Sequence, residues 1–510
     1  MALQAPQGGK AIRVGPAAFG MLNEMEPSTR DNLLVFVPAG VALAALLAAG
    51  VWVMTDSSWA VGLSLREPGS DGATIQRDRP TRGPGAGRAE WGKLVVGEGK
   101  PAEGIAGVWP HFRGPDRTNI APSQPPLART WPSDGPKRLW EVEMGEGHAG
   151  PVVRDGRLWV LDYDRENLSD AMRCLSLADG REIWRYSYPV KVLRNHGMSR
   201  TVPALGGRYV VSLGPKCHVL CLEADTGKFV WGIDLVIEHG TTVPQWYAGQ
   251  CPLIDGDRLI LAPGGPSALL MAVNLADGKV LWKTPNPRDW KMTHTSVVPV
   301  EIDGVKQYVY AASRGVVGVS ADDGRLLWET DQWKINIANV PTPIHVGGGR
   351  IFLTGGYNAG SMMLKVAREG ERWMAKPLFK LEAREFCSEQ QTPILLASQG
   401  GLSGRLLSVL AKGGPISQQL ACMDLEGKVL WTSGVAHQYG LGPYLVAGDL
   451  IFALKDDGLL SLAQISPAGM KVLAQAKVLE GPDAWGPMVL VDGRLILRDL
   501  KRMICLDVRE

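Results

Sequence analysis

The sequence is poor in the residues that announce chemistry. Its 510 residues include only 8 histidines and 8 phenylalanines, and no C-x-x-C-H stretch is present to attach a haem. The stretch 109–510 has no G-x-S-x-G, no H-E-x-x-H and no Walker loop, so hydrolase and nucleotide-driven roles lose their usual signatures. Charge of one sign is missing as well. The 54 Lys and Arg against 52 Asp and Glu leave +2, without the basic surplus that a nucleic-acid binder gathers on one face. No nucleic-acid partner is therefore expected.

What is present begins with one long apolar run. Leu33 to Met54 reads LLVFVPAGVALAALLAAGVWVM without a charge, long enough to cross a bilayer of roughly 30 Å as a helix. A cleaved signal peptide is the rival reading. Its apolar core usually runs about 7–15 residues after a short basic start, whereas here a polar tail, 1–32, comes first. No cysteine follows the run, which disfavours lipoprotein processing. Lys10, Arg13 and Arg30 precede it and Arg66 follows, so 1–32 is expected in the cytoplasm, 33–54 across the cell membrane as a single-pass helix, and the rest on the extracytoplasmic, periplasmic side. Residues 55–108, rich in Gly, Pro, Arg and Ser, read as a flexible tether.

The remainder repeats. ADGREIW ends at Trp184, DTGKFVW at Trp231, ADGKVLW at Trp282, DDGRLLW at Trp328 and LEGKVLW at Trp431, with spacings of 47, 51, 46 and 103. The last gap holds two periods, and Phe379 and then Ala474 occupy the tryptophan slot of degenerate copies. A second marker runs in step: apolar strands opening at Pro151, Pro203, Pro252, Pro343, Pro393, Pro443 and Pro487, with Val297 in the eighth copy. Short apolar runs separated by turns such as Asp155-Gly156 and Asp492-Gly493 make each unit a four-stranded meander, the size of one propeller blade. The last unit lacks its tryptophan strand, and the segment around Trp140, near 137–143, supplies it. The expected fold is all-β: an eight-bladed β-propeller over 109–510, its last blade completed by an N-terminal strand so that no edge stays open.

This signature resembles the pyrroloquinoline-quinone-like propeller superfamily, which includes quinoprotein alcohol dehydrogenases and the outer-membrane protein assembly factor B lipoproteins. The lead-in WPHFRGPDRTNIAP at 109–122, NHGMSRTVPAL at 195–205 and QQTPIL at 390–395 look like a branch of membrane-anchored bacterial propellers. The resemblance implies either a binding and assembly scaffold or a quinone-dependent oxidoreductase acting on alcohols or sugars. The dehydrogenases use pyrroloquinoline quinone with a calcium ion, and many carry a disulfide between adjacent cysteines. No two cysteines are adjacent here. Trp246 offers a flat floor and Glu238, Asp289, Glu385 and Glu389 are loop carboxylates, but nothing in the sequence fixes them together. The expectation is a non-catalytic, monomeric scaffold with no cofactor that binds a protein or an extracytoplasmic polymer; the alternative is the quinoprotein dehydrogenase. A sugar- or peptide-binding sensor is a third reading.

The cysteines fit the repeat. Cys174, Cys221, Cys422 and Cys505 fall in a slot held by Ala272, Gly318 and Ser461 in other units, so they read as small fillers of a strand. Cys217 and Cys221, four apart on one strand, are too distant to bond, and Cys251 and Cys387 are expected free. The alternating acids of DYDRENLSD at 162–170 suggest a calcium loop, yet Asn167 stands where its glycine belongs.

The candidate site is the ring of residues just before the proline markers, which this fold gathers at the channel mouth: His148, Arg200, Gln250, His294, Asn339, Gln390, Gln391 and Trp485, with His196 and Trp246 nearby. The set is polar and positive in tone, suited to an anionic small molecule or a peptide terminus. The plainer reading is that these side chains satisfy strand ends and channel water. The three histidines come from separate units without ligand spacing, so no metal is expected.

Overall fold

The structure, a computed structural model, describes residues 91–510. The expected tail, the apolar run Leu33–Met54 and the tether up to residue 90 lie outside the described residues. No helix among those described is long and apolar enough to cross a membrane.

Eight antiparallel sheets follow one another. Blade 1 runs from the innermost strand Val152–Arg154 through Arg157–Asp164 and Ser169–Ser176 to the outermost Glu182–Pro189. Blades 2 to 7 repeat that order, ending on Phe229–Asp234, Val280–Lys283, Leu326–Thr330, Arg372–Leu381, Val429–Thr432 and Gly469–Lys477. Blade 8 supplies Val489–Val491, Arg494–Arg498 and Arg502–Asp507, and its outermost strand is β2, Lys137–Glu143, as the repeat count requires. Trp140 faces Cys505 across that pair. Each proline or its substitute precedes an innermost strand, where its missing N–H costs no ladder bond.

The repeated tryptophan and the repeated glycine belong to one contact. Four of the outer-strand tryptophans lie under the turn glycine of the next blade: Trp140 under Gly180, Trp184 under Gly227, Trp231 under Gly278 and Trp282 under Gly324. These glycines hold φ between 72 and 74°, and a Cβ on Gly227 would stand 2.6 Å from the Trp184 ring. The Trp140, Trp184 and Trp231 indoles donate to the carbonyls of Leu177, Ala224 and Leu275 at 2.9–3.1 Å, each three residues before its glycine. The pattern D-G-x-x-x-W is therefore the seam between blades, and the Trp140 seam closes the ring.

The cysteine slot has the same logic. Cys174, Cys221, Ala272, Gly318, Cys422 and Cys505 sit directly opposite the tryptophan of their own blade on the third strand, where only a small side chain fits under the indole. Where the aromatic shrinks, the partner grows: Phe379 faces Met363, and Ala474 faces Leu462 rather than the Ser461 that the repeat suggested, one residue out of register. Cys217 lies in a turn at φ 66°, before the strand His218–Glu223 and not on it. All seven cysteines are buried and free.

One element differs from the tether expected up to residue 108. β1, Lys93–Val96, adds a fifth strand to the outer edge of blade 1, pairing Leu94 with Tyr186 and Val96 with Trp184. Four residues suffice because Leu94 packs against the seam, 2.7 Å from where a Gly227 Cβ would be.

After β1 the chain crosses the face that carries the blade hairpin turns. Ala102 N–H donates to Gly156, Trp109 pairs with Val153 of blade 1, and Leu205 of blade 2 donates to Pro110. Ala121 N–H reaches Val446 of blade 7, and Leu127 pairs with Arg509 beside blade 8. The lead-in segment is a plug lying across this end of the channel.

Candidate functional site

The connections from each outermost strand to the next innermost strand converge at the other end of the channel. They enclose a cavity of about 270 Å³. Of the ten residues singled out above, His148, His196, Arg200, Trp246, His294, Gln390, Gln391 and Trp485 line it. Gln250 and Asn339 do not. Gln250 is 1 % exposed and spends its amide on both backbone groups of Ala262, while the Asn339 side chain, 3 % exposed, donates to Ala311. Their backbones turn at the rim, and their side chains serve the strand ends instead.

Two aromatic and imidazole walls face each other across the cavity. Trp485 stacks on His148 with ring centroids 5.0 Å apart, held by its indole N–H on Asp456 at 3.0 Å. Trp246 lies tilted against His294 at 6.3 Å. Burial and the nearby Arg200 push both imidazoles down to about 3, so each is neutral at physiological pH. Arg200 carries the charge. Its Nη2 donates to the carbonyls of Asn195 and His196 at 2.7 and 3.0 Å, its guanidinium lies 6.0 Å from the Tyr247 ring centre, and Nη1 has no protein partner. Among the described residues no carboxylate pairs with it. Burial draws it down only to about 10, far above neutrality.

The opposite wall carries Tyr357, Glu389, Gln390 and Gln391. Burial raises the half-buried Glu389 carboxyl. Among the described residues Glu389 is the one carboxylate lining the cavity. Glu238 bonds within its own short helix turn, Glu385 with the backbone of Glu382, and Asp289 with Lys291. Asp164 of the acidic loop is spent on the N–H groups of Glu166 and Asn167. Among the described residues no three metal-ligating side chains gather anywhere.

Below the mouth lies a girdle, one to three positions further along the chain than the residues singled out from the repeat. Along half of the ring, the residue just before the marker donates its N–H to the side chain of its equivalent in the next blade. Val202 donates to Cys251 Sγ, Cys251 to Ser296 Oγ at 3.0 Å, Ser296 to Thr342 Oγ1 at 3.2 Å, and Thr342 to Thr392 Oγ1 at 2.9 Å. Around the rest of the ring the equivalent residues are Gly442, Gly486 and Gly150, where Gly150 has Pro487 and Val202 within 3.1 Å of a Cβ position. The girdle satisfies buried backbone donors and fixes the spacing of the blades. Burial pushes the Cys251 thiol up to about 11, so it is no nucleophile at neutral pH. Phe112 of the plug reaches this level from below and lines the cavities on both sides.

The arrangement offers one permanent cation, two neutral imidazoles and two flat indoles around a partly apolar space. It suits an anionic group flanked by planar or apolar surface.

Comparison with known proteins agrees with this architecture. The family described as outer membrane protein assembly factor BamB matches residues 169–382. No curated protein matches the chain in sequence. A europium-containing methanol dehydrogenase is similar in structure, with a TM-score of 0.51 at 13 % identity over 77 % of this chain and 89 % of its own. A quinohemoprotein alcohol dehydrogenase from Pseudomonas putida gives 0.50 at 11 % identity over 81 % and 83 %. BamB from Moraxella catarrhalis gives 0.47 at 13 % identity over 73 % and 99 %. The chain is an eight-bladed β-propeller whose residues 169–382, from blade 1 to blade 5, are similar to the BamB family.

Proposed function

We propose that this protein is a non-catalytic binding propeller, anchored to the membrane through Leu33–Met54 on its extracytoplasmic side, whose channel mouth grips an acidic group of a protein or polymer partner. One observation carries the reading: Arg200 keeps its charge without a carboxylate partner, between walls that end in Trp485 and Trp246. A charge-assisted hydrogen bond to that guanidinium supplies affinity, and the indoles supply apolar contact beside it. The likeness to a family named for outer-membrane protein assembly supports a protein partner.

The flat walls also favour a second reading, a planar quinone held for alcohol or sugar oxidation. The residues do not fit a calcium-bound quinone: such an ion takes about six to eight oxygen ligands, and this cavity presents one carboxylate, Glu389. No step is derived through that group.

The purified full chain should be titrated with acidic peptides that have free or amidated C-termini, following indole fluorescence. A parallel arm adds pyrroloquinoline quinone with calcium and a redox dye. Acidic peptides are expected to bind the wild type and to bind Arg200→Met roughly tenfold or more weakly, from the loss of about 1.5–3 kcal/mol. Equal binding of neutral peptides, or an unchanged affinity in the variant, rejects the mouth as an acid-binding site. Dye reduction with an alcohol or sugar replaces this reading with the oxidoreductase.

A further inference from the structure

The channel has a lower compartment that the mouth does not explain. Between the girdle and the plug lies a cavity of about 380 Å³, and Arg113, Arg117 and the girdle residues Ser296, Thr342 and Thr392 line it. Its rim at Asp116 and Ala397 is exposed, so solutes reach it from the plugged face.

Arg113 is the unusual member. It is 8 % exposed, and its Nη2 donates to the carbonyls of Thr118 and Pro393 at 2.9 and 2.8 Å. Nε and Nη1 have no protein partner, and among the described residues no carboxylate lies within ion-pairing distance. Burial draws this guanidinium down to about 10, which still leaves it charged at any physiological pH. A buried charge without a counter-charge is among the costlier arrangements a protein can hold. Arg117 differs, since Asp116 and Asp255 both act on it and its Nη2 donates to Ile254. The uncompensated positive charge of the compartment therefore sits on Arg113.

The girdle adds donors on the facing side. Ser296, Thr342 and Thr392 each accept a backbone N–H from the preceding blade through the hydroxyl oxygen. A hydroxyl that accepts in this way still has its own hydrogen to donate. Three such groups at one level, with a forked cation below them, form a donor set for a small oxyanion. Phe112 and the three hydroxyl residues line both the mouth and this compartment, whereas Arg113 lines the compartment alone, so the cation that completes the set belongs to the lower side.

We infer that the lower compartment binds a small oxyanion of phosphate or sulfate type between the Arg113 guanidinium and the hydroxyls of Ser296, Thr342 and Thr392. Bound there, the anion ties the plug to blades 4, 5 and 6 from inside the channel. The site stands independently of the partner proposed for the mouth.

The test is calorimetric titration of the full chain with inorganic phosphate, with sulfate and acetate as further probes. Saturable phosphate binding is expected, weakened about tenfold or more in Arg113→Met, because the charge and the fork are both lost, and changed by less than about twofold in Arg200→Met. Arg113→Lys, which keeps the charge without the fork, is expected to fall between. If Arg113→Met does not fold, Arg113→Lys and crystals soaked in bromide decide the matter. Anomalous density beside Arg113 supports the site. Phosphate binding unchanged in the folded Arg113 variants, binding lost with Arg200→Met instead, or bromide density absent from the compartment overturns it.

Discussion

Replacing Gly227 by alanine tests the seam that organises the molecule. Two costs arise there. The first is conformational: Gly227 holds φ +72°, and alanine in that region costs about 1–2 kcal/mol. The second is steric: the new methyl would lie 2.6 Å from Trp184 Cδ2 and 2.7 Å from Leu94 Cδ1. Trp184 is 1 % exposed and held by its bond to Ala224, so it has no room to yield, and overpacking of this kind costs about 1–3 kcal/mol. Gly256 isolates the first cost, since it holds φ +62° with nothing within 4 Å of a Cβ. At about 2.1 cal/mol/K per residue over the roughly 420 described residues, 1 kcal/mol moves the melting temperature by about 1 °C. Scanning calorimetry should show Gly256→Ala lowered by about 1–2 °C and Gly227→Ala by about 2–5 °C. Because Leu94 belongs to β1, Gly227→Ala should also expose β1 to limited proteolysis, while Gly256→Ala should not. Equal melting shifts and equal protease sensitivity in the two variants would refute the claim that the glycine is there for the indole.

Two further outcomes follow from buried groups. Burial raises Asp170 to about 7, and Tyr188 donates to it at 2.7 Å. Its folded form therefore keeps a proton that the unfolded chain has released between about pH 4 and 7, and stability falls as pH rises through that window, by at most about 4 kcal/mol. Asp170→Asn should flatten this slope and melt higher than the wild type at pH 8; identical pH profiles would show that Asp170 does not govern it. Trp140→Ala should cost about 3–5 kcal/mol, since it empties a buried site and frees the Leu177 carbonyl. Hydrogen exchange should then accelerate in Lys137–Glu143 and Arg502–Asp507 together, whereas acceleration confined to the first strand would mean that the ring does not depend on this closure.

The fold was legible because the seam repeats. Trp184, Trp231, Trp282 and Trp328 recur with their glycines at near-constant spacing, and the unpaired final unit pointed to Trp140. The mouth was legible for the same reason, since loops at one repeat position must meet on one axis. Gln250 and Asn339 escaped that logic because the sequence places a residue at the rim without saying which way its side chain turns. The girdle lay one to three positions beyond the residues chosen, and its members Cys251, Ser296 and Thr342 share only an ability to accept an N–H, which is no sequence pattern. Arg113 and Phe112 were hidden for a deeper reason. Their surroundings come from blades 3 to 6, more than a hundred residues away, and exist only once the ring has formed.

The path of the chain before blade 1 has a mechanical consequence. Tension entering from residues ahead of Trp91 meets β1 first, and β1 is held to blade 1 along one edge by four residue pairs. Gly97 and Gly99 prolong that edge through their N–H groups to Ile183 and Glu182, and the plug behind it is tied at Val153, Leu205 and Val446. The closing strand Lys137–Glu143 is reached only after both have given way. A partner tugging on the blades against a fixed N-terminus would thus load β1 and the plug ahead of the closing strand, which places both in series with the seam that closes the ring.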